Sequence, residues 1–168
     1  MQENPTHAVK IEKLTLNIGC GTDKEKIERA IKLLEMLSNQ KPIITLSKKR
    51  STFGVPEKKP IGVKVTLRKI KAEEFFSRVL QGLDNKLKSS QLDNQGNISI
   101  GIKEYIDLPN IKYSHEVGML GLDCSVTLQR SGYRIKRRRI QKRDISSKSK
   151  IYKEEVVNWL KGRGVQVE

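Results

Sequence analysis

Histidine and cysteine are nearly absent from this chain of 168 residues, and their scarcity closes off much of the chemistry a protein of its size could perform. His7 and His115 stand alone, without the His-x-x-x-His or Cys-x-x-Cys spacings that gather metal ligands. No metal and no cofactor is expected. Cys20 and Cys124 lie outside any paired spacing and read as buried, reduced thiols of a cytosolic protein. Long apolar runs are missing too. Nothing approaches the roughly 18 to 20 residues of a membrane span, and the opening Met-Gln-Glu-Asn-Pro-Thr-His has no apolar stretch of signal length. A soluble, cytoplasmic protein with no membrane partner is expected. Gly19-Cys20-Gly21 lacks both the third glycine of a dinucleotide loop and the Gly-Lys-Ser/Thr of a nucleotide loop, so it reads as a chain reversal. The acidic pairs Glu73-Glu74 and Glu154-Glu155 stand at helix starts, where they complement the helix dipole rather than bind metal. No catalytic residue is assigned, and the chain does not read as an enzyme.

What the chain does have is positive charge, and it is gathered. Residues 41–71 hold 10 Lys/Arg and one acid, and residues 129–150 hold another 10 and one, so each block carries +9. The remaining 115 residues sum to −3. Charge of one sign on a defined patch attracts a polyanion, which inside a cell is most often nucleic acid. Aromatic residues make up 5% of the chain and form no base-stacking motif. Recognition would therefore run through phosphates, 2′-hydroxyls and shape.

Five segments alternate with period two. Leu14, Leu16, Ile18 and Cys20 oppose Lys13, Thr15 and Asn17; Ile44 and Leu46 oppose Thr45 and Ser47; Ile61, Val63, Val65 and Leu67 oppose Lys64, Thr66 and Arg68. Ile98, Ile100 and Ile102 oppose Asn97, Ser99 and Lys103, and a final strand sets Leu120 to Leu128 against Asp123, Ser125, Thr127 and Gln129. Helical spacing appears at about 23–38, where Ile27, Ala30, Ile31, Leu34 and Leu37 share a stripe after a Thr22-Asp23-Lys24-Glu25 cap. It recurs at about 71–88, with Phe75, Phe76, Val79, Leu80, Leu83 and Leu87, and at 153–161, with Val156, Val157 and Leu160 ahead of Gly162 and Gly164.

This order predicts an α+β protein forming a single domain over residues 1–168. A mostly antiparallel sheet carries helices on one face and leaves a polar face open, followed by a basic extension at 129–150 and a short C-terminal helix at 153–161. Two segments stand out beside the open face. Residues 48–60, with Gly54, Pro56 and Pro60 among five cations, read as a long mobile loop with Phe53 at its tip. The block from Arg130, running into Arg134, Lys136, Arg137, Arg138 and Arg139, repels itself and is expected to be extended or loosely ordered until it meets a partner.

Three stretches resemble the universal large-subunit ribosomal protein L-five family: residues 11–21, Ile-Glu-Lys-Leu-Thr-Leu-Asn-Ile-Gly-Cys-Gly; residues 40–45, Gln-Lys-Pro-Ile-Ile-Thr; and residues 60–68, Pro-Ile-Gly-Val-Lys-Val-Thr-Leu-Arg. Asp93-Asn-Gln-Gly-Asn97, Ile106-Asp-Leu-Pro109, Gly121-Leu-Asp123 and Gly132-Tyr-Arg134 extend the resemblance in order along nearly the whole chain. Asn39 stands where the family usually has glycine, and asparagine also suits a left-handed helix end. The basic segment and closing helix are similar to the archaeal and eukaryotic branch.

The resemblance implies a structural protein that binds 5S ribosomal RNA and joins it to large-subunit RNA in the central protuberance. Its further partners would be the peptidyl-site transfer RNA, a small-subunit head protein and neighbouring large-subunit proteins. It implies RNA contact by Asn17, Lys41, Thr45, Lys64, Thr66 and Arg68. Lys48, Lys49 and Arg50 and the basic run from Arg134 to Arg139 join them on charge. The loop residues Ser51, Thr52, Phe53, Gly54, Val55, Lys58 and Lys59 would face transfer RNA, and residues 104–115 the small-subunit head. Two alternatives compete. An RNA-processing or modifying enzyme would need a cofactor loop or clustered histidines and acids, and a DNA-binding regulator would need a helix free to read bases.

Overall fold

The computed structural model describes residues 7–50, 52, 54–109 and 111–167, with the backbone alone at Lys148. Strand β1 (Lys10–Gly19) is the middle of a five-stranded antiparallel sheet. Beside it run β2 (Ile43–Leu46), β3 (Pro60–Leu67), β5 (Asn97–Ile102) and β6 (Leu122–Gln129), in the order β2-β3-β1-β6-β5. The alternation puts Leu14, Leu16 and Ile18 on one side, in register with Leu67, Val65 and Val63 on β3. Leu14 and Leu16 also align with Val126 and Cys124 on β6.

Helices α1 (Lys24–Ser38) and α2 (Ile70–Gly82) cover that side. Helix α1 starts where Asp23 accepts hydrogen bonds from the N–H groups of Glu25 and Lys26, and it ends at Asn39 in the left-handed conformation, φ 48°. Phe75 and Phe76 of α2 are completely enclosed, and burial of a side chain of this size contributes about 1.5–3 kcal/mol. Helix α3 (Lys153–Lys161) joins this core through Trp159, which stacks on Phe76 at 6.1 Å and donates from Nε1 to the carbonyl of Val9 at 3.2 Å.

Four expectations need correction. The second helix stops at Gly82 instead of continuing to about 88. Asp84 and Asn85 both take positive φ, and Lys86–Leu87 forms a short strand β4, parallel to β7 (Gln166–Val167). Leu83 and Leu87 keep helical spacing, yet Leu87 is buried as a strand residue. Within α1 Leu33 is fully buried alongside Ala30 and Leu34, while Ile31 is only partly covered. On β2 the apolar residues are not buried: Ile44 is 44% and Leu46 54% exposed, because the helices leave this edge strand largely uncovered.

The fourth correction concerns the basic extension, which is more than an extended strap. A 3₁₀ turn at Tyr133–Lys136 opens it and another at Ser147–Ser149 precedes α3. The Tyr133 hydroxyl donates to the carbonyl of Ser149 at 3.1 Å and accepts from the N–H of Ile151 at 3.0 Å. Arg130 donates to the carbonyl of His7 at 3.1 Å and to Glu155 at 2.8 Å. Acids and carbonyls from outside the block thus relieve the repulsion that would otherwise spread it.

Candidate nucleic-acid interface

The face of the sheet away from the helices is a grid of small polar side chains. Antiparallel partners directly opposite one another share a face, so the pairing can be read across as rows. Lys64, Asn17 and Asp123 form one row; Thr66, Thr15, Ser125 and Ser99 the next; Lys13, Thr127 and Asn97 a third. Thr45 lies at the edge opposite Gly62. Gly62 is required there, since a Cβ on it would sit 2.6 Å from the carbonyl oxygen of Ile18 and 3.1 Å from Oγ1 of Thr45. At about 3.3 Å per residue, the ten residues of β1 make this face roughly 33 Å long.

The basic segments lie at its two ends. At the Gly19 end, β2 and β3 continue into the hairpin loop, whose neck is closed by hydrogen bonds from the N–H of Ser47 to Lys59 at 2.8 Å and from Lys58 to Ser47 at 2.9 Å. Lys48, Lys49, Arg50, Thr52, Gly54, Lys58 and Lys59 are exposed there, and Val55 is half-buried. Ser51 and Phe53 lie outside the described residues. The connection between β5 and β6 leaves from the same end. It carries exposed Tyr113 and Met119 and is tied to α1 by Lys32 and Glu116 at 2.9 Å, a contact that holds the Glu116 carboxyl below its usual range.

At the opposite end, where β1 begins and β6 finishes, stand Arg68 and the extension with exposed Arg134, Lys136, Arg137, Arg138 and Arg139. Lys41 is exposed in the connection leading into β2. The structure therefore gathers Asn17, Thr45, Lys64 and Thr66 on one surface and sets Arg68 and the basic run beyond one edge of it. The loop cations lie beyond the other edge. Behind the face, burial pushes the Cys124 thiol up to about 12 and raises that of Cys20; both cysteines are free.

Sequence reasoning missed Glu12. A bulge between Ile11 and Lys13 adds one residue to β1, and the Glu12 carboxylate is left 4% exposed, hydrogen-bonded at Oε2 by Arg137 and ion-paired at Oε1 with Arg137 and with Arg68 at 3.7 Å. The signal was present, because Ile11 and Leu14 are both apolar and cannot be in phase with a period of two. Arg130 and Tyr133, which pin the extension, carried no comparable signal.

Among the described residues no helix is long and apolar enough to cross a membrane. Two family models match the chain: Ribosomal protein L5 over residues 4–55, and the ribosomal L5P family C-terminus over residues 60–157. The chain belongs to the ribosomal protein L5 family. Similar relatives include three archaeal proteins, each called "Large ribosomal subunit protein uL5". That of Methanosphaera stadtmanae is 47% identical over 90% of both chains. That of Methanobrevibacter smithii is 44% identical over 94% of this chain and 93% of its own. That of Nanoarchaeum equitans is 42% identical over 98% and 99%. As a member of the L5 family the chain is a ribosomal protein and not an enzyme, and its partners are ribosomal RNA and other ribosomal proteins.

Proposed function

We propose that this L5-family chain binds 5S ribosomal RNA across the open face of its sheet and joins it to the large-subunit RNA of the central protuberance. The observation that carries this reading is the polar grid of Asn17, Thr45, Lys64 and Thr66 between two strongly basic ends. A-form RNA is recognised through phosphates, 2′-hydroxyls and shape, which suits short polar side chains backed by cations. Both long helices are on the covered side, which counts against a DNA-reading regulator. The hairpin loop reaches toward peptidyl-site transfer RNA and residues 104–115 toward a protein of the small-subunit head. In support, both emerge from the Gly19 end of the sheet and so face one neighbour side.

The test is equilibrium binding of the purified chain to 5S RNA across a salt series, beside a plain RNA duplex of equal length. The expected log-log slope grows by about 0.7–0.9 for each phosphate neutralised, and 5S RNA is preferred. A flat salt response, or equal affinity for the plain duplex, would overturn the proposal.

A further inference from the structure

We infer that Arg68 and Arg137, drawn together by the buried carboxylate of Glu12, form a clamp for a backbone phosphate at the β1-bulge end of the open face. The inference rests on the RNA-binding reading and adds a built site to it. Three observations carry it. Glu12 is 4% exposed, in contrast to a surface acid that would merely cancel charge. Arg137 donates through Nη2 to Oε2 and pairs through Nη1 with Oε1, which Arg68 approaches at 3.7 Å, so the buried Oε1 has two ion-pair contacts and no hydrogen bond. Yet the two arginine side chains are 50% and 59% exposed, so each keeps donors on its outer edge.

A guanidinium has five N–H donors in a rigid fork, and a carboxylate on one side leaves the others pointing away. Two such forks held by one buried anion carry a net +1. Arg68 continues the Lys64, Thr66 alternation beyond β3, and Arg137 reaches it from the basic extension. The ligand chemistry this fits is a phosphodiester, whose two free oxygens accept from separate guanidinium edges. Because the arginines are already ordered by Glu12, binding avoids much of the side-chain immobilisation that weakens contacts from free surface lysines. Glu12 is thus a positioning residue: it repels the phosphate as a charge but favours it by holding the arginines in place.

That opposition of sign supplies the experiment. Affinity for 5S RNA is measured at one salt concentration, and the salt slope separately, for the full chain and for E12Q, E28Q, R68K and R137K. Glu28 is exposed on α1, so E28Q adds the same unit of positive charge away from the clamp. Expected are wild-type or slightly tighter binding by E28Q and roughly tenfold weaker binding by E12Q despite its higher net charge. R68K and R137K keep the charge and the salt slope but lose about two- to tenfold in affinity each, because an ammonium cannot replace the fork. Melting curves accompany each variant, and if E12Q does not fold, the two exposed lysine variants decide. E12Q binding as tightly as E28Q, or lysine variants indistinguishable from wild type, would overturn the clamp while leaving the RNA-binding reading intact. Absence of salt-dependent binding by the wild-type chain would overturn both.

Discussion

Leu16 and Asn17 are neighbours on β1, yet changes at the two should harm different properties. Leu16 is fully enclosed, with Val65 and Cys124 beside it in register, so Leu16→Ala leaves a cavity and should cost about 3 kcal/mol, within the range of 2–5 for buried leucines. For a chain of this length each kcal/mol corresponds to roughly 2–4 °C in Tm, and the expected drop is therefore about 6–12 °C. Asn17 and Thr66 face the other way, on the polar grid. Their joint replacement by valine suits a strand and should move Tm by less than about 4 °C, since substitutions outside the core stay near ±0.5 kcal/mol each.

The RNA response should be reversed. Each lost hydrogen bond is worth about 0.5–1.5 kcal/mol, so the valine pair should bind 5S RNA about tenfold or more weakly. Leu16→Ala, assayed well below its Tm, should bind nearly as wild type does. Thermal melts followed by circular dichroism and binding curves at fixed salt measure both properties. If the valine pair melts as low as Leu16→Ala while binding RNA normally, the faces of β1 are reversed and the interface assignment falls with them.

Gly62→Ala would place a methyl group 2.6 Å from the Ile18 carbonyl oxygen, and the resulting strand displacement should cost about 1–3 kcal/mol in chemical denaturation. An unchanged midpoint would show that β1 and β3 have slack at this position. The Cys124 thiol, at about 12 against an ordinary 9.0, keeps its proton in the fold when the unfolded chain has lost it; the stability it contributes is present below pH 9 and declines as pH rises toward 12. Alkylation at pH 8 should accordingly be slow for the native chain and fast in denaturant, and rapid native labelling of Cys124 would contradict its burial. Removing residues 51–57 keeps the Ser47–Lys58 closure of the hairpin neck, so 5S RNA should still be incorporated into ribosomes while peptidyl-site occupancy by deacylated transfer RNA falls. Unchanged occupancy would remove the transfer-RNA role, and failed incorporation would move the loop into the 5S contact.

The polar face was legible because a period of two survives in sequence wherever one side of a strand is buried: Asn17, Lys64 and Thr66 sit opposite unbroken apolar positions. Asn39 was legible for a similar local reason, since one residue type and one turn determine the helix end. The end of α2 was not. Leu83 and Leu87 satisfy helical spacing, yet the chain turns left-handed at Asp84 and Asn85, and the Asp107 carbonyl packs so close that a Cβ on Gly82 would meet it at 2.6 Å. The burial of β2 failed for a topological reason: its alternation is genuine, but its place at the sheet edge is a property of the strand order, which no single segment encodes.

Charge was the feature most visible in sequence and the one the fold changes most. Counted along the chain, residues 129–150 carry +9. In the folded protein Arg130 is only 12% exposed against Glu155, and Arg137 shares Glu12, a partner 125 positions away in sequence. Such pairings have no period and no local pattern, so composition counts these cations as equal to the exposed Arg134, Arg138 and Arg139. The charge offered to RNA is smaller than the block's total, and it is divided by role. Arg130 ties the extension to α3, Arg137 is oriented by a buried acid, and the exposed remainder acts mainly through counterion release. A salt slope nearer the exposed set than the full +9 is the behaviour this division requires. A slope reflecting every cation in the block would mean that Arg130 leaves Glu155 when RNA binds.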